Sequence, residues 1–199
     1  MTTSKGLSAL DTIINNAKIL GSLTLADGTQ LIGRVPHVGP DAWLHVLFAG
    51  LDEADIAELE TRAARQLPSD YRQFMREHNG LSLFSGALYV AGLRRDFRRA
   101  NHATWQPFAL EDANVFERLR DAPADCVFIG GYKADGSRLY MSGASPKVFR
   151  CERSSIRPVN EWPNLRLLLN HEAERLAEHF DALGRRRDAS TGTAPTEQN

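Results

Sequence analysis

Histidines are the first residues of this chain to consider for catalysis or metal binding. They are His37, His45, His78, His102, His171 and His179. Two histidines on one helix bind a zinc ion when they are four residues apart, because both imidazoles then lie on one face. His171 and His179 are two helical turns apart, or about 12 Å along a helix axis, which is too far to share an ion. The sequence therefore predicts no metal site and no cofactor.

The cysteines and serines do not form a catalytic pattern either. Cys126 and Cys151 make no CxxC pair, so a zinc site and a disulfide framework are not expected. Cys126 precedes the apolar run VFIGG, which predicts a buried thiol, and Cys151 is also interpreted as structural. No GxSxG motif is present, and the glycines of GGYKADGS lack the spacing of a P-loop. These observations favour a protein that is not an enzyme.

The strongest local charge is a cluster of arginines interleaved with aromatic residues, made of Arg94, Arg95, Phe97, Arg98, Arg99 and Trp105. Arginine and aromatic side chains on an irregular loop are the composition that protein interfaces prefer. Phosphate binding is a second interpretation, but a formal net charge of −1 argues against a nucleic-acid partner. A third interpretation is a solvated loop whose arginines pair with acids such as Glu111 and Asp112.

The composition of the whole chain is that of a soluble globular protein. Its 199 residues, 42% hydrophobic and 25% charged, are enough for one core. The N-terminal stretch lacks the apolar run of a signal peptide, and no stretch is long enough to span a bilayer. A cytoplasmic location without a membrane partner is therefore expected.

The beginning of the chain predicts a helix followed by three strands. Residues 7–20 carry apolar side chains at helical spacing. Residues 22–26 and 30–35 alternate in polarity and are joined by Asp27-Gly28, which suits a tight hairpin turn. Residues 42–48 predict a further strand.

Two adjacent helices are predicted after these strands. Pro68 ends the first and begins the second, because a proline in the first turn lacks only a hydrogen bond that the helix could not make. In the second helix, Tyr71, Phe74 and Met75 recur at helical spacing, which predicts that all three are buried. Gly80 is predicted to be its left-handed C-terminal cap.

The second half of the chain predicts more strands, at residues 81–84, 87–92, 126–132, 138–142 and 147–151, and the last three form an antiparallel meander. A short helix is predicted near residues 110–119, and a final helix runs from Trp162 until Gly184 stops it. Helices at both ends with a meander between them predict an α+β fold. We expect a mixed, mostly antiparallel central sheet flanked by helices.

A series of short motifs runs in a fixed order through residues 51–183. They are Ile56-x-x-Leu59-Glu60, Leu67-Pro68-x-Asp70-Tyr71-x-x-Phe74-Met75, Asn79-Gly80, Phe128-Ile129-Gly130, Asp135-Gly136-Ser137, and Trp162 before the last helix. In this order they resemble the SUKH superfamily, in particular its Smi/Knr-type domains. The resemblance implies that many bacterial members are immunity proteins, which bind and neutralise toxins of inter-bacterial competition. It also implies that fungal relatives are regulatory interaction scaffolds, and neither role requires catalysis.

The sequence therefore predicts three parts. Residues 1–50 form a helix and β-hairpin extension packed on the core, residues 51–184 form a SUKH-like domain, and the polar residues 185–199 form a disordered tail. The predicted function is that of an immunity protein that binds a cognate protein toxin. The alternatives are a regulatory scaffold of the same fold and a small hydrolase with an unrecognised site.

The predicted partner-binding surface is centred on residues 93–108, the longest irregular connection of the chain. Long connections in compact domains are usually functional or disordered, and binding residues concentrate on them. Two tyrosines on neighbouring strands are expected to extend the patch. The predicted set is Tyr89, Arg94, Arg95, Phe97, Arg98, Arg99, Trp105 and Tyr132.

Overall fold

The strands of the protein form one sheet in a computed structural model that describes residues 8–97 and 105–197. Nine strands are paired antiparallel in the order in which they follow along the chain. They are β1 (Ser22–Thr24), β2 (Gln30–Arg34), β3 (Trp43–Ala49), β4 (His78–Leu83), β5 (Leu88–Val90), β6 (Cys126–Tyr132), β7 (Arg138–Ser142), β8 (Val148–Cys151) and β9 (Pro158–Trp162). The α-helices among the described residues are α1 (Ala9–Ala17), α2 (Glu53–Ala63), α3 (Ser69–Glu77) and α4 (Leu165–Glu178). The α+β class is confirmed.

The N-terminal elements continue the sheet of the rest of the chain. α1 begins at a capping box, in which the Ser8 side chain accepts from the Asp11 backbone N–H and the Asp11 carboxylate accepts from the Ser8 backbone N–H. β1 and β2 form the hairpin that Asp27-Gly28 predicted, with Gly28 at φ +90°. β3 then pairs with β4, so residues 8–49 and the following domain share one set of strands.

The main core lies on one face of this sheet, and side chains of all four helices take part in it. Successive residues of a strand point to opposite faces. Val127 and Ile129 of β6 belong to the core under the helices, whereas Cys126 and Phe128 belong to a separate cluster on the opposite face. We call this opposite face the outer face of the sheet.

Two smaller apolar clusters cover separate parts of the outer face. One consists of Leu31, Val46 and Phe48, packed against Leu25, Trp43 and Trp105. The other is built around Cys126, Phe128, Tyr140 and Cys151. Both cysteines are free and buried, as predicted for the Cys126 thiol, and burial raises the pKa of Cys126 to about 12 and that of Cys151 to about 11. Between the two clusters, Ser82 of β4 and Tyr89 of β5 form a cross-strand pair.

The region after α3 differs from the predicted helix cap. α3 ends at Glu77, and Gly80 lies within β4 at φ +82°. A β-carbon at Gly80 would lie 2.5 Å from the Val90 carbonyl oxygen, so the positive φ and the close strand both require glycine. The Asn79 side chain accepts from Leu93 N at 2.6 Å and donates to Leu93 O at 2.9 Å. Asn79-Gly80 therefore joins β4 to the chain that follows β5.

Burial on α3 is less even than its periodicity predicts. Tyr71 and Met75 are fully buried, and the Tyr71 hydroxyl donates to the Ala91 carbonyl at 2.8 Å. Phe74 is half-buried and lines a groove that α3 forms with α1 and α4. The prediction of a buried Phe74 is therefore corrected: its ring lies at the edge of the core, because the groove leaves one side of it uncovered.

The C-terminal elements contain a strand that the sequence analysis missed. Residues 158–162 pair with β8 as β9, so Trp162 ends a strand, and α4 begins after Asn164, whose side chain accepts from Leu167 N at 2.9 Å. α4 ends at Glu178 rather than near Gly184. Gly184, at φ +69°, instead lies in a turn that allows Phe180 and Arg186 to form a β-bridge.

The segment after Gly184 has a defined course in the structure up to residue 197, which corrects the prediction of a disordered tail for these residues. The Arg175 side chain donates to the Thr193 carbonyl at 2.7 Å, and Asn160 Nδ2 donates to the Thr196 carbonyl at 2.8 Å. Thr193 is buried. The polar composition of the segment does not reveal these contacts, because their donors lie on β9 and α4.

His45 on β3 is a fully buried histidine whose Nδ1 accepts a long hydrogen bond of 3.5 Å from Phe84 N. Burial lowers the pKa of His45 from 6.5 to about 3. Below pH 6.5 the unfolded chain therefore binds a proton that the folded protein does not bind. The contribution of neutral His45 to the free energy of unfolding is fully present above pH 6.5. As the pH falls below 6.5, this contribution decreases by up to about 1.4 kcal/mol per pH unit, until the pH reaches the pKa of His45 in the folded protein.

We accordingly expect His45 to make the protein sensitive to acid. Between pH 7 and pH 5, this group alone should lower the free energy of unfolding by about 2 kcal/mol. Urea denaturation at both pH values measures the loss, and His45→Asn should remove it. His37→Asn is the matched control, since His37 is exposed. An equal loss in the wild type and in His45→Asn would contradict the prediction.

Candidate protein-interaction surface

The residues of the predicted partner-binding surface lie in separate parts of the structure. Arg95 and Trp105 line one cavity, of about 360 Å³, and Tyr89 lines another, of about 320 Å³. Arg98 and Arg99 lie outside the described residues. The connection at residues 93–108 is therefore not a single patch.

Arg95 forms ion pairs with acids of the same chain. Its guanidinium donates to the Asp55 carboxylate at 2.5 Å and to the Glu58 carboxylate at 2.7 Å, and both acids lie on α2. The hydrogen bond from Arg95 is the main cause that lowers the pKa of Glu58. Arg95 therefore pairs with acids, as one of the three interpretations expected. The partners are Asp55 and Glu58 on α2 and not Glu111 or Asp112. Arg95 fastens the connection to that helix.

Trp105 is half-buried on the outer face. It packs against the cluster of Leu31, Val46 and Phe48. Part of its indole therefore covers the sheet, and only the remainder is available to a partner.

Tyr132 is buried, with 1% of its surface exposed, which corrects its place in the predicted surface. Its side chain belongs to the core under the helices, and the guanidinium of Arg150 lies 5.7 Å from its ring centre. Burial, followed by the charge of Glu172, raises the pKa of Tyr132. The position of Tyr132 next to a turn suggested exposure, but the strand alternation directs its side chain inwards.

Tyr89 lies on the part of the outer face that the two apolar clusters leave uncovered. Its ring packs on Phe108 with ring centres 4.2 Å apart, and Phe108 is 42% exposed. Burial raises the pKa of Tyr89, so this phenol stays neutral. The cavity beside the pair also has Asp112, Glu117 and Arg153 in its lining. Phe108 was not singled out from the sequence, since a phenylalanine at the end of a loop carries no distinctive pattern.

A short turn of π-helix at Asp112–Phe116 stands where the sequence predicted a helix, and Asn114 holds it on β6. The buried Asn114 side chain donates to Phe128 O at 2.7 Å and accepts from Phe128 N at 2.9 Å. These bonds satisfy the backbone N–H and C=O of Phe128, which lies beyond the β6 residues that pair with β5. They also fix the position of the chain that leads from Phe108.

Arg94 and Phe97 form the other exposed part of the connection. The Arg94 guanidinium lies 5.3 Å from the centre of the Phe97 ring, and Phe97 is 56% exposed. The charge of Arg94 also acts on Asp112, whose pKa burial raises. Asp112 in turn lines the cavity beside Phe108. We call Tyr89, Arg94, Phe97 and Phe108 the aromatic surface.

The chemistry available to this surface is that of aromatic and guanidinium contacts. Within residues 8–97 and 105–197, no group of three or more His, Cys, Asp or Glu side chains could hold a metal ion. In the same residues, no helix has the length and apolar character needed to cross a membrane. Arg138 donates to the Glu117 carbonyl at 2.7 Å and lies 3.6 Å from its carboxylate, so one of the acids that line the cavity has a cationic partner.

Comparison with known proteins places the chain in a family. A search of curated proteins finds no match. Residues 50–183, about two thirds of the chain, match the SMI1 / KNR4 family (SUKH-1), which confirms the resemblance inferred from the motifs. The matched residues include the whole aromatic surface and leave out α1, β1, β2 and β3. The chain therefore belongs to the SMI1 / KNR4 family (SUKH-1).

Proposed function

We propose that this protein is an immunity protein that binds a cognate secreted toxin of inter-bacterial competition and neutralises it by direct contact. The observation that carries the proposal is the aromatic surface, where Phe97 is 56% exposed beside Arg94 and Phe108 is 42% exposed beside Tyr89. Exposed aromatic residues next to an arginine are typical of binding sites. Family membership supports the proposal, since many bacterial relatives are expected to be immunity proteins.

The backbone under the aromatic surface is already ordered before any partner binds, which favours tight binding by an inhibitor. The Gln106 side-chain oxygen accepts from Arg95 N at 2.7 Å and from Asp96 N at 2.9 Å, next to Phe97. Asn114 fixes the chain after Phe108 in the same way. A surface that is already ordered loses less conformational entropy when it binds, so more of the contact energy contributes to affinity.

Co-expression tests the proposal most directly. The product of the neighbouring open reading frame is expressed alone and together with this protein, and cell survival and co-purification are measured. We expect rescue and a stable complex, with the inhibitor acting in the cytoplasm, where its two free cysteines stay reduced. Rescue without a complex, or no rescue, contradicts direct inhibition. A complex with a host protein in place of a toxin would indicate the regulatory scaffold, and substrate turnover by the pure protein would indicate the hydrolase.

The aromatic surface makes a sharper prediction about this complex. Phe97→Ala combined with Phe108→Ala should weaken toxin binding by at least about 2 kcal/mol, or roughly 30-fold, because two exposed interface aromatics are removed. Titration calorimetry measures the affinity, and melting curves check that the variant is folded.

Ile19→Ala is the matched control, since Ile19 is an apolar residue, 87% exposed, in the turn after α1. It should leave the affinity unchanged. An unchanged affinity in the double variant would remove the aromatic surface as the binding site.

A further inference from the structure

A cavity of about 430 Å³ lies where four separate segments meet. The β2–β3 connection, the β4–β5 turn, the β6–β7 turn and the segment after α4 all contribute to its lining. Phe84 and Phe180, with ring centres 4.9 Å apart, supply its aromatic part. This volume is within the range of small-ligand sites, about 300–1,000 Å³.

The β4–β5 turn that lines this cavity has an unfavourable backbone conformation. Phe84 and Ser85 have φ of +50° and +56°, in the left-handed region that residues with a β-carbon rarely adopt, and Gly86 follows at +89°. The turn is held by hydrogen bonds from Ser85 N to Leu44 O at 2.7 Å and from Gly86 N to Leu83 O at 3.1 Å. Strained residues that the surroundings hold in place concentrate at binding sites.

The charged lining of the cavity is cationic. Lys133 and Arg186 are exposed, and no Asp or Glu is among the described residues that line the cavity. The Lys133 side chain runs along the strained turn, since a β-carbon built on Gly86 would lie 3.9 Å from its Nζ. The β-bridge between Phe180 and Arg186 places Arg186 in the same wall as the aromatic ring.

We propose that this cavity binds a carboxylate that is carried next to an aromatic or branched aliphatic group. One terminal nitrogen of Arg186 donates to the Thr191 carbonyl. Lys133 and the other N–H groups of Arg186 would bind the carboxylate through charge-assisted hydrogen bonds, and the apolar group would pack on Phe84 and Phe180. The ligand is either a free small acid or an acidic segment of a peptide, because both present the same chemistry. The site is additional to the aromatic surface, and its occupancy does not depend on the proposed toxin.

The probe for this site is N-acetyl-L-phenylalanine, titrated into the isotope-labelled full-length protein while backbone amide chemical shifts are followed. We expect saturable shifts confined to the amides of residues 84–87, 133–134 and 184–186. The uncharged amide of the same compound should bind at least about tenfold more weakly, since it lacks the charge. The absence of shifts, or equal binding of acid and amide, would overturn the proposal.

Single substitutions locate the ligand. Lys133→Gln and Arg186→Gln should each weaken binding about fivefold or more, because each removes one charged partner of the carboxylate. Lys133 also lines the cavity beside Phe108, so Arg186→Gln is the variant that assigns the ligand to this cavity. Arg153→Gln is the matched control: Arg153 is an exposed arginine that lines the cavity beside Phe108 and not this one. A loss in Arg153→Gln equal to that in Arg186→Gln would place the ligand elsewhere and contradict the assignment.

A second titration distinguishes the two sources of ligand. Acetyl-Phe-Glu-amide carries its carboxylate on a side chain within a peptide. If it binds more tightly than N-acetyl-L-phenylalanine, the cavity takes a peptide segment; if it binds more weakly, the cavity takes a small free acid. Either order supports the site, provided that both compounds lose affinity in Arg186→Gln.

Discussion

Replacing Tyr71 by alanine is expected to lower the free energy of unfolding by about 3–5 kcal/mol, the usual effect of removing a large aromatic side chain from a core. Tyr71 lies on α3 with no exposed surface, packed between that helix and the sheet. The substitution leaves a cavity, and it also removes the donor of the hydrogen bond to Ala91 O at 2.8 Å. The buried carbonyl of Ala91 then lacks that partner, which adds to the destabilisation.

Two further substitutions separate these causes. Tyr71→Phe keeps the ring and removes only the hydroxyl, so we expect a loss of about 1 kcal/mol. Phe74→Ala, on the same helix, should cost less than Tyr71→Ala, because Phe74 is only half-buried. Urea denaturation of the three variants gives the order. A loss for Phe74→Ala that equals or exceeds that for Tyr71→Ala would show that α3 packs differently from the structure described.

The elements with strong local signals were the ones that the sequence could predict. α2 is capped by Asp52, whose carboxylate accepts from Asp55 N at 2.8 Å, and capping of this kind is visible in the residue types. The β1–β2 hairpin follows from Asp27-Gly28. β9 was missed because PVNEW begins with a proline and directly precedes a helix, which is typical of a connection.

The candidate surface could be predicted only in part, because the partners of its residues are distant in sequence. The cluster of arginines suggested a common patch, yet Arg95 pairs with Asp55 and Glu58, about forty residues earlier. Phe97 and Tyr89 remain on the outer side of the protein, whereas Tyr132 is buried. Strand register decides which face each tyrosine occupies, and a shift of one residue in either strand would turn its tyrosine to the other face.

The order of the motifs carried more information than any motif alone. Asn79-Gly80 resembles a helix cap locally, but its function is to join β4 to Leu93 through the Asn79 side chain. A local interpretation therefore placed the glycine in the wrong element while the family assignment was still confirmed. Residues that form long-range contacts can identify a fold even when their secondary structure is predicted wrongly.

The second large effect is expected at Arg175 on α4, the partner of a buried acid. Glu172 has no exposed side-chain surface. Arg175 Nε donates to its two oxygens at 3.1 and 3.0 Å, and the terminal nitrogen that lies 2.6 Å from Glu172 Oε2 also donates to Thr193 O at 2.7 Å. Arg175 therefore neutralises a buried carboxylate and holds the C-terminal segment at the same time.

Arg175→Met should lower the free energy of unfolding by about 3–5 kcal/mol, because it removes the guanidinium from the buried Glu172 carboxylate, which keeps His171 Nδ1, 3.1 Å from Oε1, as a neighbour. Methionine keeps most of the length of the arginine side chain, so lost packing contributes little. The double variant Glu172→Gln with Arg175→Met removes the unpaired charge and should recover most of this loss, although Thr193 O still lacks its donor. Urea denaturation at pH 7 compares the single and double variants. If the double variant is as unstable as Arg175→Met, packing or the bond to Thr193 dominates, and the unpaired charge is not the cause.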